Sequence, residues 1–333
     1  MDRKLGVVRI FHTDRFAVPL PADHRFPMAK YALLREALVA GGVVTEQELA
    51  EPEAAPRSAL ARVHTADYLE RIERGALERL AARRLGFPWS PALVERSRRS
   101  VGATLAAARA ALERGAAGSL AGGTHHAFAD RGEGYCVFND VAVAARALAA
   151  EGRIHRALVV DLDVHQGDGT AAIFAGDPAV YTYSVHGARN YPFRKERSDL
   201  DVALADGTGD AEYLAALDAT LPRALLAAAP DLVFYIAGAD PYAGDRLGRL
   251  ALTRAGLARR DDYVFGLCRE HALPVAVVLG GGYARDVGEV VAIHVETFRR
   301  LRAAWFGAPR AGPAGGARGP DRPSEFAAGP APG

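Results

Sequence analysis

The chain has 333 residues, half of them hydrophobic and 24% charged, and its 41 Lys and Arg against 40 Asp and Glu leave a net charge of +1. That balance gives no electrostatic case for nucleic acid or an anionic membrane surface as a partner, and no apolar run reaches membrane-spanning length. The first residues lack the apolar core of a signal peptide, and two cysteines, Cys136 and Cys268, do not make a disulfide framework, so a cytoplasmic protein is expected.

From the N-terminus onward, short apolar runs alternate with helical patterns. The runs cover residues 5–11, 157–162, 180–185, 232–237 and 275–279. They are mostly unalternated, as strands buried on both faces of a parallel sheet are. Helical spacing predicts helices over 28–40, 91–114, 140–150, 211–229, 253–271 and 287–304, with Pro27 and Pro91 in first turns. This order predicts an α/β fold in a single domain over residues 1–306, a parallel β-sheet flanked by helices. Residues 307–333 collapse into Gly, Ala, Pro and Arg, which cannot bury a core, and are expected to form a disordered tail.

The distinctive polar residues fall just after the apolar runs: His125 and His126, then Asp161, Asp163, His165 and Asp168, then Ser184 and His186, then Asp240, then Tyr283 behind three glycines. Ligands of open parallel sheets bind at the carboxyl ends of the strands. In extended chain Asp161, Asp163 and His165 share one face. Desolvated there, they need a counter-charge or a metal. Asp163, His165 and Asp240 together offer two carboxylates and an imidazole with a position left for water, as catalytic zinc sites do. A structural carboxylate–histidine network capping the sheet is the competing reading, and the separate arrival of Asp240 on another strand end favours the metal.

His125 and His126 lie in G-G-T-H-H-A, where flanking glycines let both face one cavity rather than solvent. A neutral imidazole beside metal-bound water is a natural general base, and Asp161 and Asp168 are available to fix the imidazole tautomers. Tyr283 can donate to a developing oxyanion. A phosphate-binding glycine turn competes there, but no G-x-G-x-x-G or Walker sequence accompanies it. Cys136 reads as a buried filler rather than a nucleophile. His12, His24, His64, His155, His271 and His294 receive no role.

Taken together, G-G-T-H-H-A (122–127), G-E-G-Y-C-V-F-N-D (132–140), D-L-D-V-H-Q-G-D-G-T (161–170), A-G-A-D (237–240) and G-G-G-Y (280–283) resemble the motif set of the zinc-dependent histone deacetylase superfamily, in order from roughly residue 11 to 304. H-Q-G in place of H-H-G, with A-D-P-Y-A-G-D-R-L-G-R-L (239–250), resembles its class IV branch. The resemblance implies the arginase/deacetylase fold and removal of an acyl group, acetyl or longer, from a lysine side chain or a related small amine. It implies zinc on Asp163, His165 and Asp240, with Fe(II) also compatible with such donors. His126 with Asp168 would be the general base and acid, His125 with Asp161 its electrostatic partner, and Tyr283 the carbonyl-polarising residue. Gly134, Tyr135 and Tyr191 would wall a tunnel. Asp161, Asp163, His165, Ser184 and Val185 would form one structural potassium site, and Phe174, Asp177 and Val180 a second.

Departures narrow the substrate. Residues 85–90 offer Phe87 and Trp89 as rim groups but no aspartate to grip a peptide backbone. Leu247 stands where polyamine-specific relatives carry an acid, which counts against an acetylpolyamine substrate. A two-metal ureohydrolase is disfavoured because Gly167 stands where it needs an aspartate. A non-catalytic acyl-lysine binding module is disfavoured because no member of the site is missing. The motifs set no oligomeric state.

Overall fold

The computed structural model describes residues 7–21 and 23–307. The expected tail beyond Gly307, and Leu5 and Gly6 of the first apolar run, lie outside the described residues. Eight strands, β1 (Ile10–Phe11), β2 (Leu49–Ala50), β3 (Ala116–Ser119), β4 (Ala157–Asp161), β5 (Val180–Gly187), β6 (Leu200–Leu204), β7 (Leu232–Ala237) and β8 (Val275–Leu279), form one sheet in the order β2-β1-β3-β8-β7-β4-β5-β6. Every pairing is parallel.

The helices are α1 (Lys30–Ala40), α2 (Arg57–Leu60), α3 (Ala66–Arg74), α4 (Arg79–Leu85), α5 (Pro91–Arg114), α6 (Asp140–Ala150), α7 (Asp168–Phe174), α8 (Asp210–Ala228), α9 (Arg254–Glu270) and α10 (Val287–Phe306). Strand pleating sorts the core. In β4, Leu158 and Val160 enter the layer shared with α1, α8, α9 and α10, whereas Ala157 and Val159 enter the layer under α5 and α6. The alanines of α5 and α6 let both helices lie close on that face of the sheet. A third cluster, including Leu60, Tyr68, Phe87 and Phe138, packs α2 and α3 around the loop that carries Gly134 and Tyr135.

The long elements agree with the sequence expectations to within a few residues, and the differences have local causes. Pro91 opens α5 as expected, whereas Pro27 precedes α1 by a turn in which its carbonyl accepts the Lys30 N–H. Strand β3 was not expected, because A-A-G-S has little intrinsic strand preference and is held by burial between β1 and β8. Strand β6, at the sheet edge, alternates partly buried and exposed positions rather than forming an apolar run. Strand β4 ends at Asp161, so Asp163 and His165 sit on the following loop rather than on extended strand. Among the described residues no helix is long and apolar enough to cross a membrane.

The topology locates the site. Strands β3, β8, β7 and β4 are consecutive in the sheet, and their carboxyl ends lead into the histidine pair, G-G-G-Y, Asp240 and the Asp163–His165 loop. His64, given no role by sequence, ties the histidine-bearing loop to α6. Its Nδ1 donates to the Phe128 carbonyl at 3.0 Å and its Nε2 accepts the Asn139 N–H at 3.1 Å. Only the neutral ring makes both bonds, and burial pushes the pKa from 6.5 down to about 4. The unfolded chain therefore binds a proton that the folded chain refuses as pH falls through that window, and stability declines with it by up to about 3 kcal/mol. His64→Gln keeps a donor and an acceptor without titrating, so it should flatten the dependence of unfolding free energy on pH between 6.5 and 4 in denaturant titrations. An unchanged slope would show that other groups account for it.

Candidate active site

Three ligand atoms of Asp163, His165 and Asp240 lie within 4.8 Å of one another, all on buried or nearly buried residues. His165 Nδ1 faces both carboxylates, 2.9 Å from Asp163 Oδ1 and 3.2 Å from Asp240 Oδ2. Asp240 Oδ2 is fully buried and receives no well-aligned hydrogen bond, the His165 N–H being nearer Asp163. Burial and the Asp163 charge push the Asp240 carboxyl up to about 7. Burial would depress the His165 imidazole, but the two carboxylates outweigh it and raise it to about 10. A cluster that draws positive charge this strongly, with an unpartnered buried oxygen among its donors, fits a divalent cation.

Backbone groups hold the carboxylates in place. Asp240 Oδ1 accepts the Val164 N–H at 2.9 Å, and Asp163 Oδ2 accepts the Gly281 N–H. A side chain at Gly281 would collide with Asp240 Oδ2, which explains one glycine of G-G-G-Y. Beneath both ligands lies Arg260 of α9, fully buried. Its Nη1 donates to the carbonyls of Leu162 and Gly238, at 3.3 and 2.6 Å, just ahead of Asp163 and Asp240. Its Nε and Nη2 donate to Asp261, which also accepts the hydroxyls of Tyr235 and Thr297.

The two histidines occupy the same cavity, their ring centres 4.2 Å apart. His125 Nδ1 meets Asp161 at 2.7 Å and His126 Nδ1 meets Asp168 at 2.6 Å. The pairs differ electrostatically. Burial opposes charge on His125, but Asp161 and Asp163 prevail and raise it to about 9. Burial and the neighbouring His125 charge hold His126 down at about 4, so His126 is neutral near pH 7. Asp140 secures the loop, its carboxylate accepting from Thr104, from the Gly123 and Thr124 N–H groups and from the Thr124 hydroxyl.

Tyr283 is 8% exposed, and burial together with Asp163 and Asp240 raises its hydroxyl pKa well above the ordinary value, so it stays protonated. Asp245 accepts its N–H at 2.6 Å and Arg246 donates to its carbonyl at 2.8 Å. Gly134, Tyr135, Tyr191 and Leu247 line the same cavity, of about 560 Å³. Gly134 has φ +54° and packs so closely that an added Cβ would come within 2.7 Å of the His126 ring. Tyr191 stands edge-on to His126 at 5.0 Å. Cys136 is buried, and burial pushes its thiol pKa well up, which leaves it an inert wall.

The inner wall carries two further cations. The Lys30 ammonium lies over the rings of Phe26, Tyr31 and Tyr283, and the Arg96 guanidinium lies 4.4 Å over Tyr31. Both side chains are buried, and neither has a carboxylate partner among the described residues. Phe87 lines the cavity as expected, but Trp89 does not. Its indole N–H donates to Ile72 at 2.7 Å and its ring covers Gly75 on the far side of the loop. Gln166, outside the triad, bonds Glu196 in both directions and Asp201, clamping the loop that carries Tyr191. Asp161 pairs in register with Ser184, one strand over from the triad and next to Val185, whereas Phe174, Asp177 and Val180 form a separate turn between α7 and β5.

Arg260, Asp140, Asp245, Arg246, Lys30 and Arg96 were not singled out by sequence reasoning. Asp140 and Asp245 stood inside the quoted motifs, and a carboxylate beside glycines at a loop corner was the available signal. Arg260 gave none, being one arginine of several in an amphipathic helix.

Parallel strands that end in a metal-competent triad flanked by two His–Asp pairs define the arginase/deacetylase class of fold. A model of the histone deacetylase domain matches residues 24–298, and the chain belongs to that family of hydrolases acting on amide bonds. It is 45% identical to an uncharacterized protein of Picosynechococcus over 298 residues, covering 90% of this chain and 99% of the relative. It is 34% identical to histone deacetylase 2 of Arabidopsis thaliana over 311 residues, covering 90% of this chain and 80% of the relative. Among solved structures, the acetylpolyamine aminohydrolase of Burkholderia pseudomallei superposes with a TM-score of 0.70 at 25% identity, over 90% of this chain and 99% of that one.

Asp240→Asn preserves shape but removes a charged donor, and should abolish retention of a divalent cation through gel filtration while leaving the far-ultraviolet circular dichroism unchanged. Undiminished metal content would take Asp240 out of the ligand set. Arg260→Met strands the buried Asp261 charge and should cost roughly 3–5 kcal/mol in chemical denaturation. A loss below about 1 kcal/mol would mean that the Asp261 site admits water or a proton instead.

Proposed function

We propose that this chain is a zinc-dependent amidohydrolase that removes an acyl group, acetyl or longer, from a lysine side chain or a related amine. The observation that carries the reading is a neutral, aspartate-held His126 sharing one cavity with the Asp163–His165–Asp240 triad and the protonated Tyr283 hydroxyl. Asp163, His165 and Asp240 would hold zinc, and the same donors suit Fe(II). When bound, the cation activates water and polarises an amide carbonyl. The carbonyl oxygens around Asp161, Ser184 and Val185, and around Phe174, Asp177 and Val180, are the proposed potassium positions.

The protein's own groups divide the remaining work. His126 has Nδ1 committed to Asp168, so it takes the proton of the attacking water at Nε2 and later gives it to the departing amine. His125, held at Nδ1 by Asp161, stands beside His126, where its charged form would set positive charge next to the reacting carbonyl. Tyr283, largely buried and protonated, donates to the developing oxyanion. Amide and water go to carboxylate and free amine, and no covalent intermediate forms. Lys30 and Arg96, with no carboxylate partner of their own, offer charge to the released carboxylate.

An acetylpolyamine substrate is the second reading, favoured by the likeness to the Burkholderia enzyme. Leu247 speaks against it, since no acid stands there to meet a cationic chain. Tyr283→Phe should lower kcat on an acetyl-lysine substrate by about 10²–10³ while retaining one metal per chain. Near-normal turnover in that variant would sink the assignment of Tyr283, and metal retention with no turnover in the wild type would favour a binding module.

A further inference from the structure

We propose that the mouth of the cavity selects an acyl-lysine set among acidic side chains, an inference that rests on the amidohydrolase reading above. The chain as a whole is nearly neutral, at +1. The opening is not. Arg25, Arg83 and Arg84 line one side, are exposed, and have no ion-pair partner among the described residues. Arg189 and Arg249, which line the same cavity, share a single carboxylate, Asp206, at 2.6 and 3.1 Å. The acid at the rim, Glu133, is engaged by Arg131 at 3.3 Å. Positive charge is therefore segregated where the amine carrier must leave the tunnel walled by Gly134, Tyr135 and Tyr191.

A cleft with one sign of charge at its mouth concentrates ligands of the other sign, and arginine forks match carboxylates in geometry as well as charge. A polyamine tail would emerge into like charge. A peptide bearing Asp or Glu around its acyl-lysine would meet two arginine groups, and Phe193, 86% exposed, adds apolar surface beside Tyr191. Solvated arginines with no ligand are the ordinary alternative, and the experiment distinguishes the two.

The full-length, metal-loaded protein would be assayed on acetyl-lysine peptides that differ only in acidic, neutral or basic flanks. Acetylspermidine and a capped acetyl-lysine amide without flanks complete the set. At low ionic strength kcat/KM for the acidic peptide should exceed that for the basic one by on the order of tenfold, and high salt should erase most of the difference. The Arg83→Glu/Arg84→Glu variant, normalised to its own rate on the capped amide, should lose or invert the preference. Equal rates across flanks, a preference for basic peptide or acetylspermidine, or a preference that survives the double substitution would overturn the proposal. Fluorescence anisotropy of the same labelled peptides on Tyr283→Phe protein gives a readout free of turnover, and affinity there should follow the same order. No hydrolysis of the capped amide would defeat the amidohydrolase reading, whereas hydrolysis without flank dependence would defeat only the charge inference.

Discussion

The buried carboxylates of Asp163 and Asp240 meet at the ends of neighbouring strands, with a single imidazole facing both. Left to themselves they would separate or take up protons, because two like charges without solvent cannot stand side by side. Much of the surrounding structure holds them where they are. The Val164 and Gly281 N–H groups each bind one of them, and Arg260 tethers the two backbone segments from below. The cost of this arrangement is spread over neutral amides and one buried guanidinium whose own charge is met by Asp261.

The two histidines illustrate the same economy. They are adjacent in sequence, nearly touching, and each paired with an aspartate, yet only one carries charge. His125 lies close enough to Asp163 to share the field of the ligand cluster, and its charge in turn keeps His126 neutral. Two groups of identical chemistry thus differ in charge by asymmetry of surroundings alone, the condition that the proposed base His126 requires.

Much of this was legible in the string of residues, and the boundary of legibility has a physical meaning. The triad and Tyr283 could be read because each belongs to a short segment at the end of an apolar run, and the histidine pair because it stands between glycines in G-G-T-H-H-A. The four consecutive strands that deliver them could not all be read, since β3 is Ala, Ala, Gly and Ser and becomes a strand only through its neighbours. Trp89 was expected at the rim as an aromatic of the 85–90 loop, yet its N–H donates to the Ile72 carbonyl near the end of α3 and its ring lies away from the cavity. Arg260 was invisible because it reaches the site through two main-chain carbonyls, which every residue possesses, and its carboxylate partner is simply the next residue of the helix. Residues that act through packing on the backbone leave no pattern in sequence, whereas residues that act through their own chemistry do.

The strand order bears on how the molecule comes to exist. Asp163 and His165 arrive on one loop after β4, but Asp240 follows β7, which slots between β4 and β8 although β5, β6 and α8 separate it from β4 along the chain. Two donors are local and the third requires closure of a long loop, the slow kind of step in parallel sheets. A partly assembled chain therefore presents two of the three groups until β7 is inserted. A cation held by all three groups would bind the completed sheet rather than the partly assembled one, and so would favour insertion of β7.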